Sequence, residues 1–168
     1  MNFLEGRVWK FADNISTDLI CPGRYYHLRS NLKEIAKHVL EDARSEFATS
    51  IKKGDFIVAG ANFGLGSSRE HAAIIIKMAG VSAVLAKSCA RIFYRNAYNI
   101  GLPVILCDTD KINDGDELHI EMERGELKNC NTGEALHFSP IPQIMADILE
   151  EGGLVPYLKK YGDIKIQD

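Results

Sequence analysis

An α/β fold is predicted by three observations. Between Asp55 and Cys107, apolar runs of strand length alternate with segments of helical period. Glycines close both helical segments, at Gly80 and Gly101. From Glu117 onward the pattern changes to short alternating stretches separated by turn residues, which marks antiparallel strands with a solvent face. Strand, helix, strand, helix, strand implies parallel pairing through right-handed crossovers. The 168 residues, 46% of them hydrophobic, suffice for one domain with a sizeable core, so residues 1–168 are expected to form a single domain.

Taken in order, 6–11 reads as an opening strand with Val8 and Trp9 packing inward. Asp13-Asn14-Ile15-Ser16-Thr17-Asp18 follows, a run of short polar side chains able to bond their own backbone and fix a loop. Pro22-Gly23 turns the chain into a polar and aromatic loop, 24–31. Leu32, Ile35, Ala36, Val39 and Leu40 recur at helical spacing and predict an amphipathic helix over 32–43, with His38 near its packed face. A loop with a short helical turn, 45–53, leads to a strand at 55–59.

The second half reads as strands at 81–86 and 103–107 flanking a helix at 90–100. Short strands follow at 117–122, 126–128 and 135–138, with Asn131-Thr132-Gly133 as a turn. His119 and His137 belong to strand surfaces. Proline starts a helix at 142–150, Gly152-Gly153 stops it, and 155–161 forms the last helix.

Composition excludes several functions. Net charge is −3 and the 20 basic residues are scattered, so no electrostatic footprint for nucleic acid exists. No apolar run reaches the roughly 18 residues of a membrane span, and Met1-Asn2-Phe3-Leu4-Glu5 lacks the features of a signal peptide, so a cytoplasmic protein is expected. Cys21, Cys89, Cys107 and Cys130 are far apart without C-x-x-C pairing, which argues for reduced, packing cysteines and no metal on this chain.

Gly64-Leu65-Gly66-Ser67-Ser68-Arg69-Glu70-His71 joins the strand at 55–59 to the helix before Gly80. Glycines here let the backbone turn tightly and present unpaired N–H groups at a helix start, a ready anion site. A purely structural explanation competes: Ser67 with Glu70 matches a capping box. Nucleotide binding fits poorly, because the third glycine of a dinucleotide fingerprint is missing and no Lys follows Gly66. The strand at 81–86 also ends at Lys87 instead of an acid for a ribose.

Three stretches in order, Asp13 to Asp18, Gly66 to His71, and Lys87-Ser88-Cys89-Ala90-Arg91-Ile92, resemble the swivelling domain of the aconitase superfamily. More narrowly, nearly the whole chain resembles the small-subunit family of 3-isopropylmalate dehydratase, homoaconitase and dimethylmalate dehydratase. The resemblance implies a three-layer swivel-type α/β domain with parallel βα units and a small antiparallel β appendage. It implies a hydro-lyase of leucine biosynthesis that isomerises 2- and 3-isopropylmalate by dehydration and rehydration.

By that match Ser67 is the catalytic base, and Asp18 lies in the active site, orienting a histidine of the large subunit. Ser68 and Arg69 contact substrate, and Asp13 is structural. Tyr25, Tyr26, His27 and Leu28 form a specificity loop, with Arg29 where an arginine would favour a third carboxylate. A [4Fe–4S] cluster is implied on a separate large subunit, paired with this chain as heterodimer or heterotetramer, with none bound here. The family has Phe and Ile at Cys89 and Tyr98, departures that read as packing changes. The alternatives are a homoaconitase-type or dimethylmalate-type small subunit, or a non-enzymatic carboxylate-binding module using the same helix terminus.

Overall fold

In the computed structural model, which describes residues 3–164, β1 (Phe3–Lys10) is the strand that joins two kinds of sheet. Along one edge it pairs in parallel with β2 (Phe56–Val58), and along the other it pairs antiparallel with β5 (Glu117–Glu121). β3 (Ala83–Ala86) and β4 (Val104–Leu106) extend the parallel side, while β6 (Glu126–Asn129) and β7 (Ala135–His137) extend the antiparallel side. The order is β4-β3-β2-β1-β5-β6-β7, so the antiparallel strands continue the same seven-stranded sheet.

Successive residues of β1 face opposite ways, and the two enter different cores. Trp9 joins Ile57 and Val84 beneath the helices α4 (Glu70–Met78) and α5 (Arg91–Asn99). Ala72, Ala73, Ile75 and Ile76 of α4 and Phe93, Ala97 and Tyr98 of α5 complete that layer. Val8 instead clusters with Phe56, Val58, Leu85 and Ile105 of the parallel strands and with Leu118, Ile120, Leu127 and Leu136 of the antiparallel ones. All of these are buried, and among the described residues the one helical side chain packed on the cluster is Leu149 of α6 (Gln143–Glu150). The antiparallel strands therefore fold over the back of the parallel ones, giving helices, parallel sheet and antiparallel sheet as three layers. Burial of each large aliphatic or Phe side chain stabilises this arrangement by about 1.5–3 kcal/mol.

Trp9 shows how an aromatic is accommodated in the core. Its indole N–H donates to Asp55 at 2.9 Å, satisfying the polar end, while its ring packs edge-on against Phe47 at 5.4 Å.

The expected helix over 32–43 is shorter. α2 covers only Leu32–Ala36, capped by Asn31, whose side chain accepts from the Glu34 amide. The next amides tighten to three-residue bonds, Lys37 to Glu34, His38 to Ile35 and Val39 to Ala36. Leu40 then leaves the ladder at φ 56° to donate to the Ile20 carbonyl at 3.1 Å. Ile35, Val39 and Leu40 are all fully buried, so the apolar spacing is real although the backbone carrying it is a succession of turns. Residues 24–31, expected as loop, include a 3₁₀ segment, Gly23–Leu28.

α3 (Phe47–Ser50) falls within the expected helical turn at 45–53, and α6 and α7 (Leu154–Tyr161) fall at the C-terminal end as expected. α1 (Thr17–Ile20) is a short helix where the polar run 13–18 was expected to fix a loop, and it forms because the Ser16 side chain caps its first turn. Residues 1–2, the start of the stretch read as lacking a signal peptide, and the tail 165–168 lie outside the described residues.

Candidate functional site

Three loops leave the C-terminal ends of β1, β2 and β3 and run side by side. The loop after β2 is the middle one. It takes hydrogen bonds from the first loop through Asn14 N–H to the Ala61 carbonyl, 2.8 Å, and Thr17 N–H to the Leu65 carbonyl, 2.9 Å. It returns Gly64 N–H to the Ile15 carbonyl at 2.7 Å. On its other side Phe63 N–H donates to the Ser88 carbonyl, and Ala90 N–H to the Phe63 carbonyl. Asn14 and Asn62 both occupy left-handed backbone, at φ 59° and 58°, and bond each other side chain to side chain at 3.0 Å. Asparagine is among the few residues with a side chain that adopt this conformation routinely. Outside the carboxyl ends of parallel strands is also where open α/β sheets bind ligands.

Asp13 holds this register, as its expected structural role requires. Its carboxylate accepts the Ala61 N–H at 2.8 Å and lies where a side chain on Gly60 would be, since a Cβ there would fall 1.7 Å from Asp13 Oδ1. Gly60→Ala should therefore displace that carboxylate and cost about 1–3 kcal/mol, read as a lower denaturation midpoint in urea. A change within about 0.5 kcal/mol, the range of indifferent surface substitutions, would show that Asp13 does not brace the loop.

The middle loop brings the serine and arginine against α1. Ser16 caps α1, accepting the Leu19 N–H at 3.1 Å, and sets its first turn. That turn presents Thr17 and Asp18 to the loop. Thr17 Oγ1 lies 3.4 Å from Ser67 Oγ, and Asp18 Oδ1 lies 2.8 Å from Arg69 Nη1. Arg69 also donates to the Cys21 carbonyl at 3.1 Å, with its guanidinium over the Tyr26 ring at 5.9 Å. Ser67 and Ser68 are exposed, so the face they form is open.

The capping box between Ser67 and Glu70 does not form. α4 starts at Glu70 with Arg69 as its N-cap, and Arg69 makes no side-chain bond to the helix. The bridge between Ser16 and Leu65 draws the loop alongside α1, and a tight turn follows in which the Arg69 N–H bonds the Ser67 carbonyl at 2.8 Å before α4 starts at Glu70. Ser67 thus stands outside the helix beside Thr17, and the opening of α4 is left without a serine cap.

The specificity-loop residues divide into two groups. Tyr25 is turned away from Arg69: it stacks on His38 at 4.0 Å and its hydroxyl donates to Glu41 at 2.5 Å. His38 is itself paired with Glu41 at 2.8 Å. Arg24 clamps the same corner through a bidentate pair with Asp42, 2.7 and 2.8 Å. Leu28 packs against the helical core. Tyr26, His27 and Arg29 are exposed, and the Arg29 guanidinium lies over the Tyr26 ring at 4.7 Å. Tyr26 is thus a ring shared by Arg29 and Arg69.

Among the described residues, no three His, Cys, Asp or Glu side chains come together as metal ligands, and all four cysteines are free. Burial pushes the Cys89 thiol up to about 12, and burial followed by the charge of Asp108 pushes Cys107 up to about 11. A cavity of about 810 Å³ is at the far end of the sheet, lined by Leu4, Val81, Pro103, Met122 and Leu149 among others, and none of the candidate site residues lines it. Among the described residues no helix is long and apolar enough to cross a membrane.

Sequence reasoning assigned no role to Thr17, Asn62 or Ser88. Thr17 lay within the polar run 13–18, but its burial and its contact with Ser67 depend on two segments 50 residues apart.

A helix, parallel sheet and antiparallel sheet domain with a serine-arginine loop at its strand ends defines the class of aconitase C-terminal domains. The family model for the aconitase C-terminal domain matches residues 10–109. The chain is 66% identical to 3-isopropylmalate dehydratase small subunit 1 of Thermotoga maritima, over 95% of this chain and 96% of that protein. It is 62% identical to 3-isopropylmalate dehydratase small subunit 2 of Archaeoglobus fulgidus, over 97% and 99%. Its structure matches the crystal structure of 3-isopropylmalate dehydratase from Methanocaldococcus jannaschii with a TM-score of 0.90 at 44% identity, covering 95% of each chain. The chain belongs to the 3-isopropylmalate dehydratase small-subunit family.

Proposed function

We propose that this chain, as one swivel-type domain over 1–168, is the small subunit of a hydro-lyase interconverting 2- and 3-isopropylmalate, active in the cytoplasm with a large subunit. The observation that carries the reading is the meeting of Ser67, Arg69 and Asp18 on one open face at the strand ends. Ser67 as alkoxide takes the proton from the carbon beside a carboxylate. The electron pair of that C–H bond stays on the carbon and spreads into the carboxylate, and hydroxide then leaves the neighbouring carbon. Rehydration in the opposite sense completes the isomerisation.

A serine alkoxide at neutral pH needs positive charge and N–H groups nearby. Arg69, two residues on, supplies the charge, and the opening of α4, which starts at Glu70, lies next along the chain. Arg69 and Ser68 hold a substrate carboxylate, and Asp18 reaches toward the large subunit. Among the described residues the donors do not come together to fit an iron–sulfur cluster, and the proposal assigns the [4Fe–4S] cluster to the partner.

A second reading is favoured by one observation, the sharing of the Tyr26 ring by Arg29 and Arg69. Two guanidiniums at one aromatic suit a homoaconitase-type substrate with a third carboxylate. Arg29→Leu in the assembled enzyme separates the two. With isopropylmalate, kcat/KM should change less than threefold. For a tricarboxylate-specific enzyme it should fall about tenfold or more, the loss of one charge-assisted contact of about 1.5–3 kcal/mol. Absence of turnover with every malate derivative, in a complex whose cluster is intact, would favour a carboxylate-binding module without catalysis.

A further inference from the structure

We infer that Thr17 is a positioning residue for the base, its hydroxyl donating to Ser67 Oγ and holding the charge that develops there. The inference rests on the proposal that Ser67 is the base. Thr17 is buried, unlike its neighbours Ser16 and Asp18, and Ser67 Oγ at 3.4 Å is its hydroxyl's hydrogen-bond partner. While both hydroxyls keep their protons either can donate. Once Ser67 has lost its proton it can only accept, so Thr17 must donate. The bond then becomes charge-assisted and shortens, as contacts to a developing charge do.

The backbone around the pair is arranged for this contact. Thr17 N–H is fixed to the Leu65 carbonyl at 2.9 Å, and the Cys21 N–H returns to the Thr17 carbonyl at 2.9 Å. Between Leu65 and Ser67 stands Gly66 at φ 110°, and a Cβ at that position would come within 3.1 Å of Thr17 Oγ1. Glycine therefore serves two purposes at position 66. It permits the left-handed turn that swings Ser67 back toward α1, and it leaves the threonine hydroxyl uncovered.

The test is the pH dependence of the assembled enzyme. Thr17→Val replaces the hydroxyl by a methyl of similar size, Thr17→Ala removes it with less bulk, and Thr17→Ser restores it. The titratable and charged groups on the elements around Ser67 are Asp18 on α1, Cys21 and Tyr26 beyond it, Arg69 in the loop, Glu70 and His71 opening α4, and Arg91 opening α5. None is altered by these substitutions.

Loss of the donor should lower kcat about tenfold with KM within twofold, and should move the rising limb of the pH–rate profile upward by at least half a unit. Thr17→Ser should stay within threefold of the parent with an unmoved limb. A fall in kcat without a limb shift in Thr17→Val and Thr17→Ala, or failure of serine to rescue, would overturn the inference and leave Thr17 a packing residue. Ser67→Ala in the same assay keeps the two levels apart. If it retains turnover, the base assignment fails. If it is inactive while Thr17→Val matches the parent, only the role of Thr17 fails.

Discussion

Ser67→Ala in the assembled enzyme is expected to reduce turnover by about 10²–10⁴-fold, the range over which a positioned proton-transfer group contributes, while substrate affinity stays near the parent value. The loss of turnover follows from the proposed role of Ser67 as the base, and the geometry adds that this serine is not needed as a cap. Ser67 lies outside α4 and takes no part in capping it, so its hydroxyl is free of the structural duty that the local pattern with Glu70 suggests. An N-cap serine replaced by alanine costs about 0.5–2 kcal/mol of stability. Here the melting temperature of the isolated subunit should change by less than a cap would cost. Normal turnover together with a clear loss of stability would reverse the assignment and make Ser67 a structural residue. The measurements are steady-state kinetics of the complex and thermal unfolding of the chain alone.

The parallel core was legible because strands buried on both faces read as continuous apolar runs, and Phe56 to Val58, Ala83 to Ala86 and Val104 to Ile105 are such runs. Gly80 and Gly101, at φ 105° and 81°, end α4 and α5 as glycines beyond helices do. The stretch after α2 was misread because 3.6-residue spacing of Ile35, Val39 and Leu40 is compatible with any backbone that returns to one face. Only the tertiary bond from Leu40 to Ile20 decides that the ladder stops. The capping box failed for a related reason. Local pattern cannot register that the Ser16–Leu65 bridge holds the chain beside α1.

At the candidate site, the stretches carrying Ser67, Arg69 and Asp18 were legible as motifs, and the structure brings them onto one face. What was not legible was pairing across loops. Tyr25 and Arg29, adjacent to the same turn, separate into an inward anchor on His38 and Glu41 and an exposed guanidinium over Tyr26. Which side of a 3₁₀ segment faces a neighbour depends on that neighbour, here the 37–42 turns.

Arg69→Leu should lower kcat/KM by at least about 100-fold, because a bidentate carboxylate contact is two charge-assisted hydrogen bonds of about 1.5–3 kcal/mol each. In the free chain Arg69 is held by Asp18 at 2.8 Å and the Cys21 carbonyl at 3.1 Å, so substrate must compete for it. The magnitudes favour substrate. The Asp18 side chain is 70% exposed and that of Arg69 27%, which places their pair in the screened range of about 0–1 kcal/mol. Exchanging so weak a pair for a bidentate substrate carboxylate would gain more than it gives up. Arg69→Lys keeps the charge but not the planar fork. Its expected loss is therefore intermediate, about tenfold. The stability of the isolated chain should fall by no more than about 1 kcal/mol in either variant, in line with the weak exposed pair. A large drop in melting temperature with unchanged kcat/KM would instead assign Arg69 to joining α1 and the serine loop, and would leave Ser68 and the α4 amides as this chain's carboxylate ligands.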